Sequence, residues 1–131
     1  MQQFVKLENP HSALTSKIIA AAIEVHRHLG PGLLESTYQA CLRYELAKSG
    51  LAFRQQQLLP IVYKEVQLEE PYKLDFVVEG LVILELKAVE SLHPIHEAQL
   101  LTYMKLSGLR VGLLINFNVV KLKDGIKRLV L

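Results

Sequence analysis

The stretch Leu74-Asp75-Phe76-Val77-Val78-Glu79-Gly80-Leu81-Val82-Ile83-Leu84-Glu85-Leu86-Lys87 decides the fold. Two apolar, β-branched runs, Leu74 to Val78 and Leu81 to Leu86, flank Glu79-Gly80, a pattern that reads as a β-hairpin. Side chains alternate along a strand, so Ile83, Glu85 and Lys87 leave one face while Leu84 and Leu86 leave the other. A three-residue loop over Glu79, Gly80 and Leu81, with positive φ at Gly80 or its neighbour, pairs Val78 with Val82 and sets Asp75 opposite Glu85. A two-residue loop sets Asp75 opposite Leu84 instead, on the wrong face for a shared site.

Two carboxylates directly opposed on an apolar hairpin repel each other unless a cation lies between them. A hard, oxygen-liganded ion such as Mg²⁺, or Mn²⁺ in its place, suits such a pair, because it takes one or two carboxylates and keeps several waters. Lys87 then stands beside the bound water or a phosphate. The competing reading is an edge-strand ion pair of Asp75 with Lys73 or Lys87 and no function.

Polar clusters elsewhere favour the first reading. A helix is expected to start after Pro94 and end before Gly108, with Ala98, Leu101, Leu106 and Met104 on its buried side. On it, Gln99 and Tyr103 are four apart and share a face, with His96 one turn earlier. Upstream, Gly32-Leu33-Leu34-Glu35-Ser36-Thr37-Tyr38 opens a helix on which Glu35 and Tyr38 share a face.

From about Ile18 to the end, the chain resembles the GxxExxY proteins of the PD-(D/E)XK nuclease superfamily. The resemblance rests on Gly32, Glu35 and Tyr38, on Asp75 with Glu85-Leu86-Lys87, on Gln99-x-x-x-Tyr103, and on the tail Lys121 to Arg128. It implies an α/β, restriction-endonuclease-like core, a mixed central β-sheet flanked by α-helices. It further implies Asp75, Glu85 and the Leu86 carbonyl as metal ligands, with Glu35 an additional acid at the metal. Lys87 is the residue that would assist the attacking water, and Gln99 and Tyr103 those that would position phosphate or Lys87. Tyr38 and His96 stand behind this set. The expected activity is Mg²⁺-dependent phosphodiester hydrolysis of DNA or RNA. The alternative is a non-catalytic or partner-dependent nucleic-acid-binding or protein-interaction module that keeps the nuclease fold.

Bulk properties bound the reading. The 131 residues, half of them hydrophobic, are expected to form a single domain over 1–131 with a sound core. A net charge of +2 does not demand nucleic acid, but Lys121, Lys123, Lys127 and Arg128 offer either a phosphate-facing edge or a solvated basic strand. Trp is absent and no aromatic-interleaved basic patch appears, so base stacking is not indicated. So small a chain leaves little surface for reading sequence, which makes a homodimer or helper protein an expected partner.

The lone Cys41 fits a reducing compartment as a buried structural thiol. Met1 to Lys6 lacks the apolar core of a signal peptide, and no apolar run approaches the roughly 20 residues that span a bilayer, so a cytoplasmic protein without membrane contact is expected. His26 and His28 are two apart and do not share a helix face, so no zinc site is assigned. His93 and His96 read as capping or surface residues, His96 within reach of the site. Helices over Leu14 to His26 and Leu33 to Lys48, strands Phe53 to Gln57, Leu59 to Tyr63, Arg110 to Asn116 and Ile126 to Val130 complete the order.

Overall fold

The computed structural model describes residues 9–131; the leader reading on Met1 to Lys6 lies outside them. Two helices, α1 (Ser12–Leu29) and α2 (Glu35–Lys48), precede β1 (Phe53–Leu59), a small ribbon of β2 (Val62–Tyr63) and β3 (Val66–Gln67), and the hairpin β4 (Tyr72–Val78) and β5 (Val82–Lys87). Then follow α3 (Pro94–Ser107), β6 (Val111–Asn116), a short 3-10 turn at Leu122–Gly125, and β7 (Ile126–Val130).

The five long strands form one mixed sheet in the order β1-β4-β5-β6-β7. β5 and β6 run parallel, joined by α3, and the other neighbours are antiparallel. β5 is buried from Val82 to Leu86 and β6 along its whole length, as expected of parallel strands covered on both faces. One face carries Val82, Leu84, Leu86, Leu113 and Ile115 against Ile18 and Ala22 of α1 and Tyr38, Leu42 and Leu46 of α2. The other carries Ile83, Val77 and Leu114 against Leu100, Tyr103 and Met104 of α3. This is the restriction-endonuclease-like architecture the chain was expected to adopt. Gly112 lets α3 close on β6: a Cβ there would stand 2.9 Å from Met104 Sδ and 3.0 Å from Leu100.

The β4–β5 register is the one the three-residue loop requires. Val78 pairs with Val82, and both Glu79 (φ 55°) and Gly80 (φ 66°) adopt the left-handed conformation. The Leu81 N–H closes the turn on the Val78 carbonyl at 2.9 Å.

Three expectations are corrected. The strand expected over Leu59 to Tyr63 is broken: Pro60 cannot donate to a ladder, β1 ends at Leu59, and Val62–Tyr63 instead pairs with Val66–Gln67 across Lys64, at φ 55°. The buried stripe of α3 is Leu100, Tyr103 and Met104, while Ala98 and Leu106 are exposed and Leu101 half-buried, because Gly112 draws the Leu100–Met104 side onto the sheet. The basic tail is not one edge. Lys127 pairs with Glu97 of α3 at 2.7 Å, whereas Arg128 donates to the Pro10 carbonyl ahead of α1. Successive residues of β7 simply leave opposite faces. Cys41 is half-buried against the α1/α2 core.

Candidate active site

Regular alternation fails at one point in both β1 and β4, and that point makes the site. Phe76 and Val78 pack toward α1 and α2, yet Leu74, two residues before Phe76, packs on the α3 side. In β1, Phe53 and Leu59 are divided in the same way, although an even spacing should keep them on one face. The ladder pairs Gln55 with Phe76 and Gln57 with Leu74, so the faces exchange at Gln56 and Asp75. Gln56 takes φ 54°, rare for a residue with a side chain, and such strain concentrates at functional sites.

Beyond this kink the β4–β5 ladder is carried by side chains. Backbone pairing reaches Phe76 and Leu84. One step further the Asp75 N–H donates to Glu85 Oε1 at 3.2 Å and the Leu86 N–H donates to Asp75 Oδ2 at 2.8 Å. Both carboxyls are buried, at 9% and 8% exposure. Burial, and then the neighbouring Asp75, push the Glu85 carboxyl up to about 8, while Lys87 pulls it down. In the absence of a cation, Glu85 therefore keeps its proton through neutral pH.

Glu35 opens α2 near this pair. Its carboxyl is raised by burial and by Asp75 and lowered by Lys87 and by a hydrogen bond with Gln39. Gln39, one helical turn on, also accepts from Gln56 Nε2 at 2.9 Å, and Gln56 Nε2 lies 3.5 Å from Asp75 Oδ1. An amide relay thus runs from Glu35 through Gln39 and Gln56 to Asp75. It borders a polar groove of about 640 Å³ lined by Glu35, Ser36, Gln39, Arg43, Gln55 and Gln56. A second concavity, of about 720 Å³ between β1 and the end of α3, is lined by none of the acids of the site.

From the other side α3 supplies Tyr103 and His96. Burial, then Glu85, Tyr72 and Asp75, raise the Tyr103 hydroxyl, which puts that hydroxyl in the field of the acid pair. His96 is lowered by desolvation, by Lys87 and by His93, and its Nδ1 caps the helix by accepting from the His93 N–H at 3.1 Å. Behind Lys87, the buried Asn116 pins the chain: its side chain accepts from Val89 N–H at 3.1 Å and donates to the Val89 carbonyl at 2.9 Å.

The fold thus draws Glu35, Asp75, Glu85, Lys87, Tyr103 and His96 into one electrostatic neighbourhood, with Leu86 between the acid and the lysine. Two expected residues stand apart. Tyr38 is fully buried, stacked on Phe117 at 4.6 Å, and its hydroxyl donates to the Gly30 carbonyl at 2.7 Å and accepts from Leu33 N–H at 3.1 Å. It clips the α1–α2 connection that delivers Glu35. Gln99 is exposed on α3. Sequence reasoning missed Gln39 and Gln56, although Gln39 follows Glu35 by four positions on one helix face and Gln55-Gln56-Gln57 is an amide run in an otherwise apolar sheet. His26 Nε2 meets the Val119 carbonyl at 2.7 Å and His28 Nε2 meets Glu24 Oε1 at 2.9 Å.

The donor set suits a hard divalent cation. Two buried carboxylates and a third raised acid have unfavourable like-charge interactions that such an ion removes. Among the described residues, no three of His, Cys, Asp and Glu come together as a ready-made metal cluster, so a ligand set here needs a main-chain oxygen or water to complete it. No helix among the described residues is long and apolar enough to cross a membrane.

A family model described as the PD-(D/E)XK nuclease superfamily matches residues 12–129. Neither a curated protein nor a solved structure matches the chain.

Proposed function

Since the chain belongs to the PD-(D/E)XK nuclease superfamily, whose members act on nucleic acid and generally use divalent metals, we propose that it is a Mg²⁺- or Mn²⁺-dependent phosphodiester hydrolase acting on DNA or RNA. The observation that carries this reading is the buried Asp75–Glu85 pair, whose carboxyls accept from the main-chain N–H groups of Leu86 and Asp75 beside Lys87, with Glu85 raised to about 8. Ionised, the two acids repel each other, and a bound cation removes that repulsion, which a structural role for the pair alone would not. The GxxExxY motif residues Gly32, Glu35 and Tyr38 fit the same reading, and residues 1–131 act as one nuclease-like domain.

Asp75 and Glu85 are the residues that would hold the metal, with Glu35 directly or through water. The N–H and C=O of a strand residue point to the same side, so the Leu86 carbonyl is directed with its N–H toward Asp75 and completes the protein's share. When bound, a divalent ion supplies a hydroxide-like nucleophile near neutral pH and Lewis-acid stabilisation of the phosphoryl oxygens. Lys87, a compact point charge, orients the attacking water and offsets charge developing on the phosphate. Glu85 must lose its proton before it can bind metal. Gln39 and Gln56 hold Glu35 and Asp75 at fixed separation, and Tyr103 flanks the phosphate, with His96 next to Lys87; Gln99, exposed on α3, would reach only the outer part of a bound strand. A reducing, cytoplasmic setting fits the lone Cys41, and a homodimer or helper protein would enlarge the nucleic-acid surface.

The test is incubation of the purified chain with single- and double-stranded DNA and RNA in Mg²⁺ or Mn²⁺, beside Glu85→Ala and an EDTA control. Cleavage lost in both controls supports the proposal. Intact metal binding without cleavage would replace it with a partner-dependent binding module.

A further inference from the structure

Tyr72 is not one of the acids or their hydrogen-bond partners, yet it meets Tyr103, a ring of the candidate site. Its ring centroid lies 5.4 Å from that of Tyr103, with the planes tilted by 45°. Tyr103 is buried, but Tyr72 remains 51% exposed. The kink at Asp75 explains the meeting: it turns Leu74 onto the α3 face, and Tyr72, two positions earlier, turns with it. Tyr72 precedes Asp75 by three positions, about 10 Å of extended strand. The two rings form an aromatic step from the carboxyl pair out to solvent.

Scattered exposed apolar side chains need no explanation, and Tyr63, on the β2–β3 ribbon, is one of them. Tyr72 differs because its ring is braced by a second ring, Tyr103, whose hydroxyl lies in the field of the acids. Single-stranded nucleic acid is bound by stacking bases on aromatic side chains while the backbone is held alongside. A duplex keeps its bases stacked on each other and offers no free base face. Exposed Glu69 and Glu70, just before Tyr72, are also poorly placed to accept the second backbone of a duplex.

Resting on the nuclease reading above, we propose that Tyr72, backed by Tyr103, is a stacking platform for the unpaired nucleobase adjoining the phosphate at Asp75 and Glu85, which selects single-stranded nucleic acid. Every base has a π face, so the platform selects unpaired bases without selecting sequence.

The test measures binding of fluorescently labelled oligothymidylate and oligouridylate, and of a duplex, by anisotropy with the full chain in Ca²⁺. Single strands should bind more tightly than duplex. Tyr72→Ala and Tyr72→Leu should each weaken single-strand binding about tenfold, and Tyr72→Phe should retain it. Tyr72→Leu keeps apolar bulk against Tyr103, so a loss there cannot be a folding defect that circular dichroism fails to see. Stepping one abasic site along the strand should reveal a position that reduces wild-type binding by the same factor and does not reduce Tyr72→Ala binding further. Equal binding by wild type and Tyr72→Ala, preference for duplex, or an equal Tyr72→Ala loss on intact and abasic strands would overturn the platform. Cleavage in Mg²⁺ is read separately: its absence with Tyr72-dependent binding intact would withdraw the nuclease reading and leave the platform standing.

Discussion

At the scale of single residues, Glu85 determines how the protein responds to pH. Its folded-state pKa of about 8 lies above the ordinary 4.5, so between these values the folded metal-free chain binds a proton that the unfolded chain does not. The sign follows from linkage: this group's stabilising effect is full below the ordinary value and is lost as pH rises through about 8. We predict that the metal-free melting temperature declines across that window in thermal scans, and that Glu85→Gln flattens the decline. Lys87 has a separable role. Lys87→Ala should lower kcat about 100-fold or more while leaving the heat of metal binding intact, as expected for a charge used at the transition state. The acids and the lysine were legible in the sequence because hairpin geometry and strand alternation place them. Tyr38 was not, because helical spacing puts Glu35 and Tyr38 on adjoining positions but does not say that the ring turns inward onto Phe117.

At the scale of elements, the hairpin loop sets the register, and two devices then aim the acids. The first is the Tyr38 clip. Tyr38→Phe keeps the stack on Phe117 but strips the Gly30 carbonyl and Leu33 N–H of their shared partner, which should cost about 1–3 kcal/mol in a urea melt. The second is the kink at Gln56. Gly adopts positive φ without strain, so Gln56→Gly should melt no lower than wild type while binding metal more weakly, because the tether to Asp75 is gone. A variant that lost stability but kept metal affinity would assign Gln56 a purely structural role. Order and type of the long elements could be read from hydrophobic runs. The break before the β2–β3 ribbon was marked by Pro60, whereas the rotation of α3 and the exchange of faces at Asp75 could not be read, since they depend on tertiary packing: a glycine opposite Met104, and a left-handed Gln56 in a strand that alternation alone would keep straight.

For the whole molecule, a mixed sheet closed by helices on both faces buries the two acids at the end of its central strands. Of the basic tail, which the sequence left as either a phosphate-facing edge or a solvated basic strand, Lys127 and Arg128 are tied to Glu97 and the Pro10 carbonyl, while Lys121 and Lys123 are exposed. With a net charge of only +2, affinity for a polyanion is expected to rest on the site and its surroundings more than on bulk charge. A ligand that binds only the folded state stabilises it by mass action, so metal binding and folding are linked. The most direct measurement of the central claim is calorimetric titration of the full chain with Mn²⁺, below and above the pH of about 8 at which Glu85 titrates, beside Glu85→Gln. Saturable binding that tightens with rising pH, releases a proton at the lower pH, raises the melting temperature and disappears in Glu85→Gln is the predicted result. No binding by the wild-type chain at either pH, or equal binding by Glu85→Gln, would contradict the assignment of Asp75 and Glu85 as a metal site.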